Sequence, residues 1–88
     1  MTLQEAIDYY KEKAHQNRKC LMKFAALNNK TRQCMIKYLK ACSYATLEKL
    51  YFAAGKSGFD KKTVDQQLEV LKRAEIVTQE GTQLFVKF

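Results

Sequence analysis

The side chains best suited to metal binding or nucleophilic chemistry are one histidine and three cysteines, at positions 15, 20, 34 and 42. A structural zinc site needs four ligands that include close pairs, whereas these thiols are widely spaced and form no C-x-x-C pair. Neither a nucleophile nor a pair of acids accompanies His15 in the pattern of a catalytic site. The sequence therefore predicts no catalytic residue, no metal site and no cofactor.

The cysteines and the amino-terminal sequence also indicate a compartment. An odd number of thiols in helix-like stretches disfavours a secreted disulfide framework and favours a reducing cytoplasm. Glu5 and Asp8 follow Met1 where a signal peptide would be basic, and no apolar run approaches the roughly 20 residues of a membrane span. We therefore expect no membrane partner, and we expect Cys34 and Cys42 to be small buried apolar residues.

The charge of the chain indicates the class of partner. Sixteen Lys and Arg against nine acids give a net charge of +7 in 88 residues, which favours a polyanionic partner. The surplus is uneven, because residues 11–40 hold nine basic residues against Glu12 alone, whereas residues 61–75 hold four against three acids. A chain of this length, 47% hydrophobic, is expected to form a single domain over residues 1–88.

Residues 1–28 are predicted to be helical, as one helix or two, because they lack Pro and Gly and are rich in helix-forming residues. Apolar positions recur at alternating steps of four and three, with a break or a polar gap expected around Asn17. This stripe indicates either packing on the protein's own core or a dimer-forming helix. Its apolar members are Leu3, Ile7, Tyr10, Ala14, Leu21 and Phe24, of which all but Ala14 are the candidates for a dimer contact.

Residues 31–75 are predicted to form three helices. The first is expected to begin near Thr31, the second to be capped by Ser43 or Thr46 and ended by Gly55. Asp60 is the predicted cap of the third, with Phe59 before it and Val64 four residues after it as a hydrophobic staple.

The third helix is predicted to be strongly two-sided. Val64, Leu68 and Leu71 form its apolar line, while an opposite line of polar side chains consists of Lys62, Gln66, Glu69 and Arg73. Residues 76–88 then alternate in the pattern of a hairpin with a turn at Glu80-Gly81. The predicted fold class is mainly α with a small C-terminal β-hairpin.

This order of elements resembles a winged helix-turn-helix domain with an additional helical segment at its amino terminus. The string TVDQQLEVLKRAEIVTQEGTQLFVKF resembles the recognition helix and wing of small ArsR-type and MarR-type repressors. The matching positions are Val64, Leu68, Leu71, Ile76, Val77, Gly81, Phe85 and Phe88. The resemblance covers roughly residues 31–88. The chain departs from it in the long Gly55 to Phe59 turn, in Ala74-Glu75 where such repressors often carry Gly, and in lacking the paired-Cys metal motif.

The resemblance implies binding of double-stranded DNA by a transcriptional regulator or by a replication or mobile-element accessory factor. In the docking it implies, the 61–75 helix enters the major groove, where Gln66 pairs with adenine and Lys62 contacts guanine or phosphate. The implied contacts are Lys56, Ser57, Lys61, Lys62, Thr63, Gln66, Arg73, Thr82 and Gln83. Additional phosphate contacts are expected from the basic residues before this region, namely Arg18, Lys19, Lys23 and Arg32.

Two other interpretations remain open. The chain could be a winged-helix module that binds an acidic protein through the 62/66/69/73 face or through the first helix. Alternatively, it could bind single strands or RNA without sequence preference, with Tyr9, Tyr10 or Tyr44 stacking on bases.

Overall fold

The computed structural model describes all 88 residues as five helices followed by a two-stranded hairpin. The fold class predicted from the sequence, mainly α with a small C-terminal β-hairpin, is confirmed. None of the helices has both the length and the apolar character needed to cross a membrane. The elements are α1 (Leu3–Lys13), α2 (Arg18–Leu27), α3 (Lys30–Ala41), α4 (Leu47–Lys56), α5 (Lys61–Arg73), β1 (Val77–Glu80) and β2 (Gln83–Val86).

Every helix begins at a polar side chain that accepts a hydrogen bond from a free backbone N–H of the first turn. These N-caps are Thr2, Asn17, Asn29, Thr46 and Asp60. Asn17 accepts from the Lys19 N–H at 2.9 Å, which divides the amino-terminal third into two helices. Of the two candidates for the start of α4, Thr46 is the cap, since its hydroxyl accepts from the Lys49 N–H.

The turn between α4 and α5 is shorter than the sequence suggested. Gly55 was expected to end α4, but this helix continues to Lys56, and it is Gly58 that takes a left-handed φ of 89°. The N–H groups of Gly58 and Phe59 donate to the carbonyls of Gly55 and Ala54 at 3.1 and 2.9 Å, which is the Schellman pattern. Only four residues, 57–60, therefore separate the two helices, the length typical of a helix-turn-helix.

The end of α5 uses the same pattern without a glycine. Glu75 adopts a φ of 61°, the only left-handed value at a non-glycine residue. The Glu75 and Ile76 N–H groups donate to the carbonyls of Lys72 and Leu71, both at 3.0 Å. The left-handed conformation costs an L-residue about 1–2 kcal/mol, whereas glycine adopts it freely.

Replacing Glu75 by Gly is therefore expected to stabilise the protein by about 1 kcal/mol after allowance for the added freedom of the unfolded chain, and to raise Tm by about 4–8 °C. Thermal unfolding followed by circular dichroism measures this. Glu75→Gln is the control, since it removes the charge but keeps the Cβ atom. An equal rise in Tm for both variants would mean that charge, not backbone conformation, is responsible.

The hairpin is joined to the helices by Ala45 and Thr46, a short segment that pairs with β2 and that the sequence pattern did not reveal. β1 and β2 pair antiparallel with Val77 opposite Val86 and Glu80 opposite Gln83, so that the loop has two residues and Gly81 turns it at a φ of 61°. On the other side of β2, the Leu84 N–H donates to the Ala45 carbonyl and the Leu47 N–H to the Thr82 carbonyl, both at 2.9 Å. The hairpin is thus fastened to the residues that start α4.

A single core includes side chains from all five helices and the hairpin. Leu27, Ile36, Leu71 and Ile76 are almost completely inaccessible to solvent. Because α1 and α2 bury Ala6 and Leu27 in this core, the first 28 residues are part of the domain's packing and do not project from it.

The amino-terminal stripe packs on the protein's own core, which is the first of its two predicted interpretations. The break at Asn17 ends its continuity. Leu3 and Tyr10 lie inside the core, and Ile7 and Phe24 are half-buried against it. Of the five candidate dimer residues only Leu21 is exposed, so they do not form one outward-facing surface for a second copy.

Candidate nucleic-acid interface

The outward face of α5 carries Lys62 and Gln66, the two side chains for which the resemblance implies base contacts. Lys62 and Gln66 are both exposed, one helical turn apart on the side opposite Val64, Leu68 and Leu71, which are buried. Neither side chain makes a hydrogen bond or an ion pair within the protein. The ammonium and the amide are therefore available to an external partner.

The acidic residues of the same face have internal partners. The Tyr51 hydroxyl donates to the Asp65 carboxylate at 2.5 Å, and this hydrogen bond raises the pKa of Tyr51. Glu69 accepts from the Arg73 Nε at 3.2 Å in an exposed pair one turn apart. Such exposed pairs contribute little to stability, so Arg73 can exchange Glu69 for another anion at small cost.

The amino terminus of α5 is partly satisfied by its own cap. The Asp60 carboxylate accepts from the Thr63 N–H at 2.8 Å, and hydrogen bonding to the Thr63 side chain and backbone holds the pKa of Asp60 below its usual 3.8. The N–H groups of Lys61 and Lys62 have no partner in the protein. A bound phosphate would find these two donors, but it would lie close to the Asp60 charge.

The other residues predicted around this terminus differ in availability. Lys56 and Ser57 are exposed, with the Lys56 Nζ 4.6 Å from the Phe52 ring centroid. The Lys61 Nζ lies 5.0 Å from the Tyr51 ring centroid. Thr63 is half-buried and lines a partly open cavity with Val64, so it does not share the outward line of Lys62 and Gln66.

The basic amino terminus of α2 lies beside the carboxyl end of α5. Lys19 and Met22 line one shallow cleft together with Arg73, Ala74 and Glu75. Arg18, the first residue of α2, is also exposed. The basic residues concentrated in residues 11–40 therefore continue the positive surface at the carboxyl end of α5. No local sequence pattern could reveal this proximity.

Lys23 and Arg32, two of the predicted phosphate contacts, are occupied within the protein to different degrees. Lys23 is half-buried, and its Nζ lies 5.4 Å from the Tyr10 ring centroid. The Arg32 guanidinium donates to the carbonyls of Ala25 and Ala26 at the end of α2 and, at 2.7 Å, to Oε1 of Gln67 in α5. Arg32 is therefore a structural connection between three helices, and its guanidinium is less available to a phosphate than the exposed Arg18 and Lys19.

The hairpin presents one of its two predicted contacts. The Thr82 side chain is exposed at the two-residue loop, whereas Gln83 is half-buried between β1 and the bridge to Thr46. The predicted strand alternation is confirmed, since Leu84 is buried and Phe85 is exposed.

The tyrosines proposed for base stacking are not equivalent. Tyr10 is buried in the core and cannot stack on a base, whereas Tyr9 and Tyr44 are exposed. The most exposed aromatic residue is Phe52 on α4, at 67%, which the sequence pattern did not single out.

The structure also shows where the potential metal ligands and the cysteines lie. No three His, Cys, Asp or Glu side chains converge in an arrangement that could hold a metal ion. The buried positions predicted for Cys34 and Cys42 are wrong in part, because Cys34 is exposed and Cys42 is half-buried.

Comparison of the chain with family models, with curated proteins and with solved structures gave no match.

Proposed function

We propose that the chain is a small winged-helix DNA-binding protein in which α5 enters the major groove of a duplex and the hairpin lies on the adjacent backbone. Its role would be that of a transcriptional regulator or of a replication or mobile-element accessory factor in a reducing cytoplasm. The three free cysteines are compatible with that compartment.

The observation that carries the proposal is the exposed, unpaired Lys62 and Gln66 on the outward face of α5. A glutamine amide can form two hydrogen bonds with adenine, and a lysine ammonium can form hydrogen bonds with guanine or with a phosphate. Both groups lie near the amino terminus of α5, which is the part of a recognition helix that contacts base edges. The four-residue turn before α5 and the hairpin fastened to the start of α4 support the same docking.

The charge distribution supports the proposal in a second way. Residues 61–75 hold only one more basic than acidic residue, but Asp65 accepts a hydrogen bond from Tyr51. Lys19 lies in one cleft with Arg73, so α2 extends the positive surface beyond the carboxyl end of α5. Phosphates on either side of a groove occupied by α5 would therefore meet Lys56 and Lys61 at one end and Arg18 and Lys19 at the other.

An acidic protein partner is the second candidate, favoured by the apolar side chains near this basic surface. Val70 on α5 and Met22 on α2 are 38% and 48% exposed. Apolar groups rimmed by charges are typical of protein contacts. The two candidates predict different responses to salt.

Binding to duplex DNA is expected to weaken steeply with ionic strength, because each neutralised phosphate releases counterions. With about five phosphate contacts, affinity should fall about 10²–10³-fold between roughly 50 and 200 mM salt, with log Kd linear in log salt. Fluorescence anisotropy with labelled duplex and single-stranded oligonucleotides measures this. A salt-independent affinity, or no duplex binding at micromolar protein, would contradict the proposal and favour the protein partner, whereas tighter binding to the single strand would favour a stacking mode.

A further inference from the structure

A cavity of about 120 Å³ lies between α3, α4, the 57–60 turn and the first turn of α5. It is separate from the outward face of α5, since Thr63 and Val64 line it while Lys62 and Gln66 face solvent. Two consecutive alanines of α4, Ala53 and Ala54, form part of its wall. Three of the residues that line it are exposed, so the cavity is partly open to solvent.

The lining selects for a neutral occupant. None of the eleven residues around the cavity is Asp, Glu, Lys, Arg or His, although the chain as a whole carries a net charge of +7. Eight of the eleven are hydrophobic, and the polar remainder is limited to the hydroxyl groups of Thr31, Ser57 and Thr63. A charged ligand would lose part of its hydration there without gaining an opposite charge.

The shape of the lining favours an aromatic ring. Tyr38 and Phe59 contribute aromatic side chains to the wall, and Met35 contributes a thioether. Rings interact favourably with other rings in offset or edge-on geometry, and with sulfur. An enclosed apolar cavity of about 150 Å³ is known to admit benzene. The partly open space here, about 120 Å³, is of the same order, which limits a ligand to a single ring.

We propose that this cavity is a binding site for a small uncharged single-ring aromatic molecule. The ring occupies the space left by Ala53 and Ala54, and a substituent can reach the hydroxyl groups of Thr31, Ser57 and Thr63. Cys34, which is exposed and also lines the cavity, lies beside the occupant. The proposal does not rest on nucleic-acid binding, although Ser57 and Thr63 line the cavity and are also among the DNA contacts that the resemblance implies.

Fluorobenzene is a suitable probe, because its ¹⁹F NMR signal reports binding directly. We expect a saturable shift of that signal and changes in the amide resonances of Ala53 and Thr63. At a probe concentration about ten times Kd, roughly nine tenths of the sites are occupied, so alkylation of Cys34 should slow about tenfold. The half-buried Cys20, outside the cavity, should react at an unchanged rate.

Ala53→Leu is the variant that tests the location. Leucine has nearly the helix propensity of alanine, and its side chain fills the cavity, so the variant is expected to fold and to lose the fluorobenzene response. Ala25→Leu, at an exposed position of α2, should keep the response. The absence of a saturable shift in the wild-type protein would overturn the proposal, and so would an equal response in Ala53→Leu. Equal binding of 4-fluorobenzoate would contradict the inferred selection for a neutral ligand.

Discussion

Replacing Lys62 by Glu together with Gln66 by Ala is expected to abolish sequence preference in duplex binding. Each good side-chain pair with a base contributes about 1–3 kcal/mol of discrimination, so loss of both should reduce the affinity ratio of preferred to random duplex by about 10²–10³-fold. Folding should be unaffected, because both side chains are exposed and neither has a partner within the protein.

The measurement requires a preferred sequence, which selection from a random duplex library would supply. Anisotropy titrations of the selected and of a scrambled duplex then give the ratio for each variant. Lys19→Glu is the matched control, because it makes the same charge change as Lys62→Glu at an exposed lysine of α2. It should weaken both duplexes equally. If the double variant kept its preference while Lys19→Glu removed all binding, the assignment of α5 to the major groove would be wrong.

Leu27→Ala should be among the most damaging substitutions for stability. Leu27 is completely buried in the core shared by all five helices. Truncation of a buried leucine to alanine costs about 2–5 kcal/mol, which for a domain of this size lowers Tm by about 10–30 °C. The change also tests whether α1 and α2 belong to the same cooperative unit as α3 to α5.

Differential scanning calorimetry distinguishes the outcomes. Leu21→Ala is the comparison, since Leu21 lies on the same helix but is 50% exposed, and its replacement should change stability by no more than about 0.5 kcal/mol. We expect a single transition for Leu27→Ala, shifted to lower temperature. Two separate transitions, with only the first one shifted, would show that the amino-terminal helices unfold independently of the rest.

Local chemistry made some elements predictable. Asp60 was identified as the cap of α5 because an acid, a preceding Phe59 and a following Val64 form a pattern that lies within six residues. Its carboxylate does accept from the Thr63 N–H. The two faces of α5 were equally clear, since thirteen residues of unbroken helix sample the 3.6-residue period several times.

Contacts between distant parts of the chain were not predictable. Arg32 resembled any other basic residue in a basic stretch, because its partner Gln67 is 35 positions away. The proximity of Lys19 to Arg73 depends in the same way on how α2 packs. The stripe from Leu3 to Phe24 left two interpretations open for a different reason. Its spacing cannot show whether the apolar side chains face the protein's own core or a second copy.

Two features of the fold were not predicted correctly: which glycine ends α4, and how the hairpin is held to the helices. Gly55 and Gly58 both could end α4, and only the backbone reveals that the left-handed residue is Gly58. Ala45 and Thr46 hold the hairpin by pairing with β2. A segment of two residues is too short to show the alternation of apolar and polar side chains that identifies a strand.

The hydrogen bonds of Arg32 affect how deletion mapping of this protein should be interpreted. Removing residues 1–28 would take away the two carbonyls that Arg32 binds at the end of α2 and would leave a guanidinium newly free next to Gln67. A truncated chain would thus expose a cation that the intact protein keeps occupied, while uncovering apolar surface. Any nucleic-acid affinity measured on such a fragment would combine a gained contact with a damaged core, and point substitutions are the sounder way to locate the surface.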